Sequence, residues 1–425
     1  MRLHSMKVNW RKRNGRRISQ TAFVFILTAG TIVGASCGPS FAADESPRVF
    51  VLDPSSLSEV KNRLRSGDSS LIPAFNKLLR DADHALVTGT PSVVNKEVTP
   101  PSGDKHDYMS LAPYWWPNPN TPGGMPYIHL DGKINPERDM IPDRKNLESL
   151  TAAAKTLALG YFFSDRDEYA VRLAKMLRVW FLEDATKMNP HLRYAQAVPG
   201  RNQGSVSGLI ESHHLPELVD AVGLIAGSKA WSQKDQRELQ DWFRSFLNWL
   251  QESDQGRAES KAQNNHGTWY DVQVASFALF VGKEELARKI IGEFSAKRIA
   301  RQIEPDGNQP LELKRTRPWN YALFNLEALF QVAALGEKLR IDLWNFSTSD
   351  GRGIRRALDW LVPFATGDKK WSYREISEQQ PFRIFPLLKR AALRYRDPSY
   401  EAAIKRLPDV RPDSREFLLY PARGR

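Results

Sequence analysis

The sequence predicts an all-α protein built from antiparallel helix pairs, and three observations predict it. Apolar residues recur at helical spacing from about residue 143 onward. Short Gly-, Asp- and Ser-containing turns separate these stretches, so neighbouring helices should pack as hairpins. No repeat of fixed period runs through them, which argues against a solenoid. So many hairpins in one chain suggest a ring of helix pairs, an α/α barrel or toroid. Periodicity supports the pairs, and closure of the ring is an added expectation.

Taken in order, the chain opens on an address. Residues 1–17 carry seven basic residues (Arg2, Lys7, Arg11, Lys12, Arg13, Arg16 and Arg17) and no acidic one. An apolar run follows from Ala22 to about Ala35, too short for a comfortable membrane span. Ser40-Phe41-Ala42 then offers a small-residue cleavage site. The pattern reads as a signal peptide over 1–43, leaving 44–425 as a single domain with the periplasm or the exterior as its destination. An uncleaved anchor is the competing reading. Ser19 spoils a twin-arginine match at Arg16-Arg17, and Gly34 spoils a lipidation site at Cys37.

Removing that segment takes the lone cysteine and seven positive charges with it, so the formal net charge falls from +12 to +5. The remaining domain has no disulfide and no thiolate chemistry. It must be held by its core, and about 380 residues suffice to bury a large one. No Lys/Arg-rich run remains, which removes support for nucleic-acid binding. A mild positive balance suits an anionic substrate without requiring one.

Residues 95–142 are rich in Pro, Gly, Asp and aromatics, including Ala112-Pro113-Tyr114-Trp115-Trp116-Pro117. Tyr127–Ile134 reads as a small hairpin turning at Asp131-Gly132. A loop this long is functional or disordered, and Tyr108, Tyr114, Trp115, Trp116 and Tyr127 argue against disorder. Beyond it, Leu147, Leu150, Ala154, Leu157, Ala158 and Tyr161 form a helical stripe, and a new helix runs from Asp167 through Trp180. Further helices are expected over about 206–226, 268–280, 284–303, 319–337, 352–366 and 383–394. In 232–250, Leu239, Trp242, Phe243, Phe246, Leu247 and Leu250 share one face, with Ser232 and Asp235 forming a near capping box.

Two segments concentrate polar chemistry. Asn264-Asn265-His266-Gly267-Thr268-Trp269-Tyr270-Asp271 puts two amides and an imidazole just before a helix, and Glu312 to Tyr321 carries Arg315, Arg317 and Tyr321. Together with Met188–Gly200, Pro310–Thr316 and Ser110–Pro117, the first segment resembles the alginate lyase superfamily, whose fold is an α/α barrel. The match is closest to polysaccharide lyase family thirty-eight and more distant to family five. The resemblance spans about 104–366, and four motifs in the right order make it specific.

The resemblance implies β-elimination from a 4-O-linked uronic-acid polymer of the alginate, polymannuronate or glucuronan type, giving 4,5-unsaturated ends. It implies that Asn265 and His266 neutralise the substrate carboxylate, that Arg315 assists proton transfer, and that Tyr321 is base and acid. Arg315 lies six residues before Tyr321, whereas family five places its Arg seven before, so specificity is not carried over from that family. The chemistry is coherent. The C5 proton is barely acidic beside a carboxylate, so donors must neutralise that charge, and one group must take the proton and return it to the leaving oxygen. A tyrosine titrates near pH 10, so a cation beside it must favour the phenolate.

Each role has a bland competitor. His266 could merely cap a helix, and Tyr321 could be a core residue spaced with Phe324 and Asn325, in which case Tyr270 and Tyr114 stand in. Spacing does not separate Arg315 from Arg317. Trp115 and Trp116 could stack on sugar, and Asn264, Tyr194, Gln196 and Arg201 are cleft candidates. Asp104, His106 and Asp107 fit either structure or the cleft edge. His213-His214 should point in different directions with no third ligand, so no metal is expected, and no cofactor. A glycoside hydrolase using two of Asp271, Asp306 and Glu312, or a non-catalytic carbohydrate-binding protein, are the alternatives.

Overall fold

A computed structural model describes residues 47–422, so the signal-peptide reading of 1–43 lies outside the described residues. Two helices, α1 (Pro54–Arg65) and α2 (Ile72–Val87), precede the aromatic loop. Of four short strands, β1 (Met109–Leu111), β2 (Trp115–Trp116) and β3 (Ile128–His129) lie within the loop, and β4 (Tyr194–Ala197) lies beyond α4. The body comprises α3 (Asp143–Ser164), α4 (Asp167–Leu177), α5 (Leu215–Ile225), α6 (Gln233–Glu252), α7 (Asp254–Glu259), α8 (Asn265–Phe280) and α9 (Glu284–Phe294). It continues through α10 (Ala300–Gln302), α11 (Pro310–Leu313), α12 (Pro318–Lys338), α13 (Ile354–Ala365), α14 (Phe385–Tyr395), α15 (Pro398–Ile404) and α16 (Glu416–Leu419).

Burial sorts these helices into inner and outer layers. Every residue of α8 except His266 is buried, and most of α12 is as well. A helix apolar all round belongs inside. By contrast α4, α6, α9 and α13 each bury one stripe and expose the rest. The packing follows: α3 meets α5, α5 meets α8 and α8 meets α12, while α4, α6 and α9 back onto α3 and α8. This is the expected toroid of helix pairs.

The sequence-derived stripes correspond to real helices, with local changes. The Ser232/Asp235 capping box forms in full. The stretch expected over 206–226 splits into a 3-10 turn, Val206–Ser212, and α5. Two helices end in π-helical turns, Arg178–Leu182 and Ser295–Ile299. The small hairpin is wider than expected. The turn at Asp131-Gly132 is present, with Gly132 at φ 70°, but β3 pairs antiparallel with β2 rather than folding back within 127–134. A parallel pairing of β1 with β4, more than eighty residues apart, was not expected at all.

Two buried ion pairs and one buried carboxyl tie loops to this frame. Lys96 Nζ lies 2.9 Å from Asp143 Oδ2, both fully buried, and fastens the early loop to α3. Burial lowers the lysine pKa and pushes Asp143 up to about 6, the signature of charges held against a desolvation cost. Arg298 and Asp271, also fully buried, meet at 2.8 Å. Asp220 on α5 accepts the backbone N–H groups of Phe50, Val51 and Leu52 at 2.6, 2.9 and 2.7 Å. Replacing it with alanine should cost about 3 kcal/mol or more, because three buried donors lose their acceptor. Urea unfolding followed by circular dichroism measures this, and an unchanged midpoint refutes the anchoring role.

Candidate active site

The first turn of α8 and the first turns of α12 meet at one mouth of the toroid, under the β2–β3 hairpin. Between them lies a cleft of about 310 Å³. Tyr114, Trp115, Gln196, Asn265, His266, Arg315 and Tyr321 all line it.

The α8 side begins with a cap. Asn264 turns its side-chain oxygen to the His266 backbone N–H at 3.3 Å, which starts the helix as asparagine caps do. Gly267 follows because nothing larger fits: a Cβ there would stand 2.1 Å from the Ala262 carbonyl oxygen and 2.3 Å from the Arg298 guanidinium. Arg298 in turn donates to the Ser260 carbonyl at 2.9 Å and also to that of Ala262, so the buried pair with Asp271 shapes the approach to this turn.

Asn265 and His266 are each held by a carboxylate. Asn265 donates through its backbone N–H and Nδ2 to the two oxygens of Glu312, both at 2.7 Å. Burial raises the Glu312 pKa, opposed by those two bonds. His266 Nδ1 lies 2.7 Å from Glu259 Oε1. A carboxylate only accepts, so Nδ1 carries the proton and Nε2 is the nitrogen left for the cleft.

Across the cleft, Arg315 Nη2 donates to the Tyr321 hydroxyl at 2.8 Å, and its guanidinium lies 3.8 Å from the ring centroid. Tyr321 donates to the Tyr114 hydroxyl at 2.9 Å. Burial raises the Tyr321 pKa well above that of a free phenol, with Tyr114 adding to the rise and Arg315 opposing it. The cation is thus present, yet burial outweighs it.

Several lining residues were not anticipated. Arg138 and Arg144 add positive charge, His129 adds an imidazole, and Glu148 and Glu211 add carboxyls. Glu211 accepts from Tyr108 and Ser110 at 2.7 and 2.6 Å, and burial pushes its pKa up to about 7. His213 also lines the cleft. Its ring lies 3.6 Å from that of His214, so the two face each other instead of diverging. Among the described residues no group of three or more His, Cys, Asp or Glu is placed to hold a metal ion. The carboxylate holders Glu259 and Glu312 sit seven before His266 and three before Arg315, but no periodic signal marks them.

Other candidates fall elsewhere. Tyr270 is buried in the core with its hydroxyl spent on the Leu250 carbonyl at 3.0 Å. Tyr194 is buried on β4. Trp116 alternates away from Trp115 along β2, its Nε1 donating to the Lys133 carbonyl at 2.9 Å. Arg201 stands over the ring of Trp115 at 5.0 Å and donates to the Tyr127 carbonyl, outside the lining. Arg317 takes the N-cap position of α12 and Asn264 that of α8, neither reaching the cleft lining. Of the hydrolase carboxylates, Asp271 is locked to Arg298, Glu312 to Asn265, and Asp306 to its own loop through Asn308. His106 Nδ1 donates to the Lys187 carbonyl oxygen, and Asp107 pairs with His191, so both serve structure; Asp104 joins them by accepting from Asn189.

A helical toroid with a cationic, tyrosine-bearing cleft is a frame for cleaving acidic polymers. The chain belongs to the alginate lyase family, whose model matches residues 92–371, and it is a polysaccharide lyase. An alginate lyase from Bacteroides ovatus is 40% identical, with 89% of this chain and 100% of that one covered and a TM-score of 0.85. Alginate lyase A1-III from Sphingomonas species A1 is 15% identical, with 90% and 100% covered and a TM-score of 0.57, a likeness of fold alone. A histidine-to-alanine variant of A1-III, complexed with a tetrasaccharide, compares similarly at 14% identity, 90% and 98% coverage, and a TM-score of 0.58. No curated protein matches the chain.

Gly267→Ala should lower the melting temperature by several degrees, as overpacking against backbone costs about 1–3 kcal/mol. It should also depress activity by displacing Asn265 and His266. Calorimetry and a turnover assay check this, and a wild-type melting temperature would show that the approach tolerates a methyl group.

Proposed function

We propose that this enzyme cleaves alginate or a closely related 4-O-linked polyuronate, with Tyr321 as the group that takes and returns the proton. The observation that carries the reading is the hydrogen bond from Arg315 to Tyr321, in the same cleft as Asn265 and His266. The alginate lyase from Bacteroides ovatus, similar over its whole length, supports the substrate class.

In this reading the carboxylate of the uronate lies against Asn265 Nδ2 and the imidazolium form of His266, which offers an Nε2 proton. Their donors disperse the charge that builds on the carboxylate as C5 is deprotonated. Tyr321, as phenolate, takes the C5 proton. The freed electron pair forms the C4–C5 double bond as the C4–O4 bond breaks, and the new phenol gives its proton to O4. No net proton is consumed, and one tyrosine serves both steps on one face of the sugar. Arg315 favours the ionised phenol against the burial that opposes it. Tyr114 and Trp115 form the wall against which a sugar ring packs.

We also propose that residues 1–43 are an export signal and that 44–425 acts in the periplasm or outside the cell. Among the described residues no helix is long and apolar enough to cross a membrane.

Tyr321→Phe and His266→Ala should each reduce formation of the ultraviolet-absorbing unsaturated uronate by at least about a hundredfold, the usual scale for a general acid–base group, with circular dichroism unchanged. A panel of acidic polysaccharides serves as substrates. Normal product formation by Tyr321→Phe would remove Tyr321 from its role. New reducing ends without the ultraviolet signal would point to hydrolysis instead. Arg315→Ala should move the working range to higher pH, since the phenolate loses its cation.

A further inference from the structure

The cation beside Tyr321 is already spoken for. Arg315 Nη2, which donates to Tyr321, also lies 2.7 Å from Asp131 Oδ1, and Arg315 Nε lies 3.2 Å from Asp131 Oδ2. Asp131 stands at the turn after β3 and reaches back to Thr316 as well, accepting from its N–H at 3.3 Å and its hydroxyl at 3.0 Å. Gly132 packs the turn so tightly that a Cβ would stand 2.3 Å from Thr316 Oγ1. The hairpin that carries Asp131 also carries Tyr114, which accepts from Tyr321. One loop therefore grips both members of the Arg–Tyr couple.

We propose that Asp131 is a positioning residue that sets the acidity of Tyr321, holding the Arg315 guanidinium against the phenol while cancelling part of its charge. The proposal rests on Tyr321 being the proton-transfer group. The titratable and charged groups that share the cleft with the phenol are Tyr114 and His129 from the hairpin, Arg138, Arg144 and Glu148 from α3 and the turn before it, Glu211 and His213 ahead of α5, His266 from α8 and Arg315 before α12, with Asp131 and Glu312 beside Arg315. Of the carboxylates, Asp131 is the one hydrogen-bonded to Arg315. Burial works to raise the Asp131 pKa, but Arg315 and Thr316 outweigh it and hold the group at about 2. It is thus an anion throughout the enzyme's working range, and its effect on Tyr321 is constant: it raises the phenol pKa that Arg315 lowers.

The sign of the effect is testable. Asp131→Asn keeps an acceptor for Arg315 and removes the negative charge. The Tyr321 pKa should fall, so the phenolate should be present at lower pH. The ascending limb of the kcat profile should move down by about one pH unit or more, the usual scale for a neighbouring charge. Ultraviolet difference titration of the substrate-free protein, with Tyr321→Phe subtracted, reads the same shift directly. Asp131→Glu should return both readings toward wild type. An Asp131→Asn profile lowered in height but unmoved along the pH axis, with an unshifted phenolate titration, would overturn the proposal and leave Asp131 a mere loop clamp. Full activity of Tyr321→Phe would instead bring down the reading beneath it.

Discussion

The buried contact between Arg298 and Asp271 is what the cleft geometry rests on. Both side chains are wholly removed from solvent, and a charge left alone there would be strongly destabilising. The guanidinium uses its remaining donors on the Ser260 and Ala262 carbonyls, so the chain entering α8 has one permitted path. That path ends at the first turn of α8. From there a relay of polar contacts crosses the cleft. Asn265 grips Glu312, Glu312 lies three residues from Arg315, and Arg315 reaches Tyr321 and the hairpin. A core ion pair thereby sets the position of side chains it never touches.

The cleft is positive but not indiscriminately so. Each arginine of the lining comes with an anion, Arg315 with Asp131, Arg138 with Asp139, and Arg144 with Glu148 and Asp139, while His266 is held by Glu259. Such pairing fixes long side chains before any polymer arrives and reduces the ordering cost of binding. It also tempers the field, so an incoming carboxylate is held by directed donors more than by bulk attraction.

Much of the helical frame was legible in the sequence because it obeys simple periodicities. The stripe of α6 and its Ser232 cap are examples, since an outer helix has one wet face and one dry face. The inner helices were legible as helices but not as surfaces. Tyr270 and Tyr321 each lie near the start of a helix, and only the packing around α8 on all sides sends the first into the core while the second faces the opening. Tyr114, Trp115, Gln196, Asn265, His266, Arg315 and Tyr321 share the cleft. Most of the carboxylates that orient them were hidden, because Asp131 and Arg315 are 184 residues apart. The β1–β4 pairing was hidden for the same reason: three-residue strands brought together across a domain leave no local trace.

The first turn of α8 shows how a short recognition string is composed. In Asn264-Asn265-His266-Gly267 only the two inner letters face the cavity. The outer asparagine closes the helix end and the glycine makes room for a neighbouring carbonyl and guanidinium. Half of what reads as a chemical signature is therefore architecture. A chain keeping the inner pair but changing the outer letters would preserve the reagents and lose the bench on which they stand.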